Sequence, residues 1–95
     1  MKPITTINGA WSEQANAWVS ENLCLTGDCW LEVGLPTKGR LVIKKAEQLE
    51  GPWPKALKTP WTNGEFRIRI YGSTEKRYIR IYLTTNPTLI QIANI

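Results

Sequence analysis

The chain contains no histidine, so the side chains that could do chemistry are its carboxylates and its two cysteines. Without an imidazole, neither a Ser-His-Asp nor a Cys-His arrangement can form. Acid–base chemistry by a pair of carboxylates is what remains, and its candidates are Asp28, Glu32, Glu47, Glu50 and Glu65. None of them lies in a recognisable catalytic motif, and no glycine-rich segment matches a phosphate or dinucleotide loop. We therefore expect a protein that is not an enzyme and that takes no cofactor.

Cys24 and Cys29 are separated by four residues, a spacing that fits a disulfide across a tight hairpin. Such a bond would stabilise the fold by roughly 2 kcal/mol on the chain-entropy model. Because the chain begins with no apolar leader segment, reduced and mostly buried thiols are the favoured alternative. Zinc generally takes four ligands, which two cysteines without a histidine do not supply, so no metal site is expected.

Arginine and tyrosine alternate with aliphatic residues in two neighbouring segments, residues 66–71 and 77–83. The short polar segment 72–76 between them predicts one antiparallel hairpin. A register that pairs Tyr71 with Tyr78 places every aliphatic pair on one face. The opposite face, which is the candidate partner-binding surface, then carries Arg67, Arg69, Tyr71, Tyr78, Arg80 and Tyr82.

In that register Arg69 lies directly opposite Arg80. Like charges facing each other across a sheet are unfavourable unless an acidic neighbour or partner lies over them. Residues 65–83 hold five basic residues against two acidic ones, so much of the net charge of +4 belongs to this segment. The pattern predicts that a negative group binds this face.

The composition is that of one folded domain, residues 1–95, with 42% hydrophobic and 21% charged residues. The sequence contains no run of about 18 apolar residues, the length that is needed to cross a membrane. The first residues lack the apolar stretch of a secretory signal. We expect a protein that is cytoplasmic or assembled into a particle, with no membrane partner.

Turn signals separate short apolar or alternating runs along most of the chain, a spacing that is typical of an all-β sandwich or barrel. The prediction is a small antiparallel β-sandwich, Ig-like or jelly-roll-like, of about seven strands. A second hairpin is expected through the turn at residues 36–39. The predicted strands are residues 4–7, 17–25, 29–35, 40–46, 65–71, 77–83 and 88–94.

Two segments depart from this pattern. A short helix near residues 12–21 stays open as an alternative, because apolar residues fall there at helical spacing: Trp11, Ala15, Trp18, Val19 and Leu23. Residues 49–64 are rich in proline and are expected to form a long connection or an irregular edge. Its tryptophans, Trp53 and Trp61, either close one end of the sandwich or form an exposed aromatic platform.

Three classes of function fit these features. We favour a non-enzymatic structural or assembly module, such as a small accessory protein of a virion or phage particle, that docks on other protein subunits as a homo- or hetero-oligomer. Its docking surfaces would be the sheet edges and the Arg/Tyr face. The first alternative is a nucleic-acid-binding domain that uses that face. The second alternative is binding of a glycan or another ligand through Trp53 and Trp61.

Overall fold

The computed structural model describes residues 4–25, 27–72 and 77–94. All the regular secondary structure in those ranges consists of β-strands. The predicted all-β class is therefore confirmed. The ten strands, numbered in chain order, are β1 (Ile4–Thr6), β2 (Gly9–Ser12), β3 (Ala17–Ser20), β4 (Leu23–Cys24), β5 (Cys29–Gly39), β6 (Leu41–Ala46), β7 (Lys55–Lys58), β8 (Thr62–Ile70), β9 (Tyr78–Leu83) and β10 (Leu89–Asn94).

The strands form two antiparallel sheets. The four-stranded sheet has the order β1-β10-β5-β8, and the six-stranded sheet has the order β2-β3-β9-β6-β7 with β4 also paired to β9. The sheets pack against each other as in a small β-sandwich, with one hydrophobic core between them. This confirms the expectation of two packed antiparallel sheets.

The core follows from the period of two in each strand, which sends alternate side chains to opposite faces. In β5 the inward positions Leu31 and Val33 are fully buried. In β9 the inward positions Ile79, Ile81 and Leu83 are fully buried as well. Burial of one face of both strands holds the sheets together through the hydrophobic effect.

The predicted hairpin of residues 66–71 with 77–83 is wrong. Strand β8 pairs with β5, with Phe66 opposite Val33. Strand β9 pairs with β6, with Ile81 opposite Ile43. Alternation determines which side chains point inward, but it does not determine which strands are hydrogen-bonded neighbours. Two strands with matching patterns can therefore lie in opposite sheets rather than pair in one. The turn predicted at residues 72–76 lies mostly outside the described residues.

The second predicted hairpin, through residues 36–39, is also wrong. Strand β5 continues to Gly39, and its pairing with β8 shifts register between Leu35 and Gly39. The extra residues, which begin at Pro36, are exposed in this bulge. A bulge tolerates proline because the ladder is interrupted there. The chain then crosses at Arg40 into β6 of the other sheet.

Residues 12–21 are not helical, which corrects the alternative left open by the sequence. Strands β2 and β3 form a hairpin there, with Trp11 opposite Trp18. Asn16 takes a φ of 51° in the turn, a conformation that asparagine adopts more readily than most residues. Residues 49–64 contain the edge strand β7 and the start of β8 as well as irregular backbone.

Candidate functional site

The six residues of the predicted Arg/Tyr face are divided between two surfaces. Arg67 and Arg69 lie on the outer face of the four-stranded sheet, and Tyr71 follows at the end of β8. The other three, Tyr78, Arg80 and Tyr82, alternate with the buried residues of β9 on the outer face of the six-stranded sheet. The expected pairing of Arg69 with Arg80 is wrong, because Arg69 lies opposite Trp30 and Arg80 opposite Lys44.

Carboxylates accompany the arginines on the four-stranded sheet. Arg69 donates to Asp28 with 2.9 Å between Nη2 and Oδ2, and the N–H of Gly72 donates to the other carboxylate oxygen at 2.7 Å. These hydrogen bonds, that of Arg69 first, lower the pKa of the Asp28 carboxyl below its ordinary value. Arg67 lies over the ring of Trp30 at 4.6 Å and opposite Glu32 in the ladder. Opposite charges are therefore mixed on this surface.

Two of the five candidate catalytic carboxylates share a recess on the same sheet. Glu32 and Glu65 line a recess of about 310 Å³ together with Arg67. Glu32 accepts a hydrogen bond from the side chain of Gln91 at 3.2 Å. Glu47 and Glu50 lie in the exposed stretch after β6, apart from the residues that line this recess. The expectation of a non-enzymatic protein stays a prediction.

The outer face of the six-stranded sheet carries a row of three cations. Arg80 on β9 lies opposite Lys44 on β6, and Lys44 lies opposite Lys55 on β7, next to a β-bulge that shifts the register of β6 and β7. We call these three residues the cationic row. The Nε of Arg80 donates to the side-chain oxygen of Asn22 at 2.8 Å. Lys44 lies over the ring of Tyr82 at 4.4 Å. These contacts position the cations without neutralising them.

The two tryptophans of the proline-rich segment each contact a guanidinium. Trp53 is half-buried, donates from Nε1 to the carbonyl of Leu49 at 3.2 Å, and faces Arg80 at 4.2 Å. Trp61 is 50% exposed and faces Arg40 at 4.9 Å. Their rings therefore belong to the basic surface of the six-stranded sheet, while their role as a platform for a glycan stays a prediction.

Sequence reasoning missed Lys44 and Lys55. Lys44 follows the continuous apolar run Leu41-Val42-Ile43, and such a run does not show from sequence which way the next side chain points. No local signal marks Lys55, because β7 lies in a proline-rich segment. Their alignment with Arg80 arises because β6 pairs both with β7, the next strand in the chain, and with β9, which is distant in sequence.

Both cysteines are free thiols in very different surroundings. Cys24 is exposed on β4, whereas Cys29 is fully buried at the start of β5 in the other sheet. Burial, with a smaller contribution from the Asp28 charge, raises the pKa of the Cys29 thiol to about 11. Cys29 is therefore a neutral, protected thiol at pH 7.

We expect a thiol reagent such as DTNB at pH 7 to label one cysteine rapidly in the native protein and the second only after denaturation. A Cys24→Ser variant should be nearly unreactive when folded, and a Cys29→Ser variant should react like the wild type. Rapid labelling of both cysteines, or labelling of neither until a reductant is added, would contradict the assignment.

Within the described ranges, no group of three or more cysteine or acidic side chains is placed to hold a metal ion. No helix there is long and apolar enough to cross a membrane. Comparisons of the chain with protein-family models, with curated proteins and with solved structures give no match.

Proposed function

We propose that this protein is a non-enzymatic structural module that assembles with other protein subunits through the outer edge of β8. The observation that supports it is the length of that edge. Among the described strands β8 pairs with β5 alone, and its nine residues make it the longest edge strand of either sheet. An unpaired edge of this length presents backbone donors and acceptors that another strand can satisfy.

The core is only partly covered where this edge lies next to the edge of the other sheet. Strand β7, the edge of the opposite sheet, has only four residues. A recess of about 100 Å³ between the two edges is lined partly by Leu57 and Ile70, and Leu57 is 40% exposed. Phe66 and Ile68 on β8 are only half-buried. A strand added to β8 would cover these apolar groups, which contributes favourable free energy to association.

We take the added strand to be β8 of a second copy, related by a two-fold axis. Antiparallel pairing centred on Phe66 overlaps all nine residues of β8. It places Glu65 of each copy opposite Arg67 of the other and keeps the apolar residues on the inner face. A register centred on Ile68 would oppose Arg67 and Arg69 twice, and one centred on Arg67 would oppose the two copies of Arg67 and overlap only seven residues, although it pairs Glu65 with Arg69. The sequence of β8 is thus complementary to itself, as an isologous dimer requires.

The wider assignment follows from the same proposal. A module that works by strand pairing needs no cofactor, and it fits a protein that is cytoplasmic or built into a particle such as a virion. We place its two sheets in the broad group of Ig-like or jelly-roll-like sandwiches, and we treat residues 1–95 as one domain.

The test is a charge exchange across the two-fold axis. Glu65→Arg places two like-charged pairs in the interface. We expect the dissociation constant of the dimer to rise roughly tenfold or more, because each cross-strand charge pair contributes roughly 0.2–1 kcal/mol. Arg67→Glu should act similarly. The double variant E65R/R67E restores both pairs across the axis and should dimerise more tightly than either single variant, although it also places a carboxylate opposite Glu32 of its own chain and removes the contact of Arg67 with Trp30. Light scattering after size exclusion, over a series of concentrations, measures the effect.

A wild-type protein that stays monomeric at high concentration would contradict the dimer. So would a double variant no better than the single ones, because a merely destabilised β8 gives no rescue. Thermal melts of all four proteins show whether a decrease in dimer comes from unfolding.

A further inference from the structure

The cationic row is energetically unfavourable in the isolated protein. Like charges directly opposite each other on neighbouring strands are destabilising, and here three occur in succession across β9, β6 and β7. Neighbouring strands are about 4.8 Å apart, so the backbones that carry these three cations span about 10 Å. An anion lying over the cationic row would remove the repulsion.

Among the described residues, the outward positions of these three strands supply no such anion. The outward positions on these three strands are basic, aromatic or aliphatic: Tyr78, Arg80, Tyr82, Val42, Lys44, Lys55 and Lys58. In the part of the chain that the structure describes, the ion pair found is that of Arg69 with Asp28, on the other sheet. The ion pair therefore lies on the opposite sheet from the cationic row.

A recess beside the row is suited to an anionic group. Its volume is about 220 Å³, and its lining includes Arg40, Lys44, Lys55 and Tyr82 and contains no carboxylate. The guanidinium of Arg40 lies 4.9 Å from the centre of the Trp61 ring, and its Nε is buried without a hydrogen-bond partner among the described residues. Because that atom is not accessible to a ligand, an anion in this recess would be contacted by the ammonium groups of Lys44 and Lys55.

Aromatic rings are interleaved with these cations. Tyr82 lies beneath Lys44, Trp53 beneath Arg80, and the half-exposed Trp61 beside Arg40. Cations that contact phosphates beside aromatic rings on which bases stack are the combination that binds single-stranded nucleic acid. The broad face of a β-sheet is better suited to hold an extended single strand than to insert into a groove of a duplex.

We propose that the outer face of the six-stranded sheet binds a single strand of nucleic acid, with the cationic row on its phosphates. This surface differs from the predicted Arg/Tyr hairpin face, which does not exist as one surface. It is also separate from the β8 edge, so either proposal can fail without the other.

Fluorescence anisotropy with labelled oligo(dT) and oligo(U), over a series of salt concentrations, tests the proposal and distinguishes DNA from RNA. The wild type should bind at low salt and release at high salt, because binding releases counterions. The double variant K44Q/K55Q should bind roughly tenfold or more weakly, and its salt slope should be smaller by about 0.7 for each lysine–phosphate interaction that the substitutions remove. Lys38→Gln, on the β5 bulge, removes one charge elsewhere and should leave the slope unchanged.

Absence of binding to either oligonucleotide at low salt would overturn the proposal. An equal weakening by Lys38→Gln and by Lys44→Gln would also overturn it, since net charge alone would then explain the attraction. Binding to vesicles of anionic lipid but not to oligonucleotides would assign the face to a membrane surface instead. Circular dichroism of each variant checks that the fold is intact.

Discussion

Replacement of Ile81 by alanine is expected to lower the free energy of unfolding by about 2–5 kcal/mol, a large share of the stability of a domain of this size. Ile81 is fully buried in β9, which lies between β6 on one side and β3 and β4 on the other. The cavity would open at the centre of the core, where backbone pairing on both sides of β9 limits collapse. Chemical denaturation followed by tryptophan fluorescence measures the decrease.

Ile68→Ala is the matched control. Ile68 is the residue that the predicted hairpin placed opposite Ile81, but in the structure it is half-buried on the edge strand β8. Its truncation should therefore cost clearly less than that of Ile81. Equal destabilisation at the two positions would speak for the hairpin and against the division of these strands between two sheets.

Gly72→Ala is expected to destabilise the protein by roughly 1–3 kcal/mol through overpacking. A Cβ at Gly72 would lie 2.6–2.9 Å from backbone atoms of Gly27, and backbone yields less readily than the end of a side chain. The shift would also disturb the hydrogen bond from the Gly72 N–H to Asp28. A thermal or denaturant melt reads the effect directly.

Gly27→Ala provides the control from the other side of the same contact. A Cβ at Gly27 meets nothing within 4 Å, so this variant should change the unfolding free energy by no more than about 0.5 kcal/mol. If both variants have the same free energy of unfolding, the close approach of Gly72 to Gly27 does not contribute to the stability of the fold.

The two proposed surfaces are compatible in one assembly. Antiparallel pairing of two β8 edges about an axis perpendicular to the sheet would join the four-stranded sheets into one of eight strands. Both six-stranded sheets would then lie on the same side, with their cationic rows facing the same direction. A nucleic-acid strand long enough to reach both rows would bind more tightly than to one copy, since the second contact becomes intramolecular.

Several features of the fold were predictable because they depend on local pattern alone. The alternation in residues 66–70 and 79–83 identified the inward residues of β8 and β9, of which those of β9 and Ile70 are buried and Phe66 and Ile68 are half-buried. The all-β class and most strand positions were predictable for the same reason. By contrast, the turn at residues 36–39 was wrong because a turn signal and a bulge signal use the same residues.

The sequence by itself determined which side chains enter the core, because the period of two in a strand is a local property of the backbone. Only the tertiary structure decided which strands are neighbours, and with that which charges share a surface. The separation of Arg67 from Arg80, and the alignment of Arg80 with Lys44 and Lys55, depend on pairing between segments that are distant in sequence. Such pairing is selected by the packing of the whole core, and no single segment encodes it.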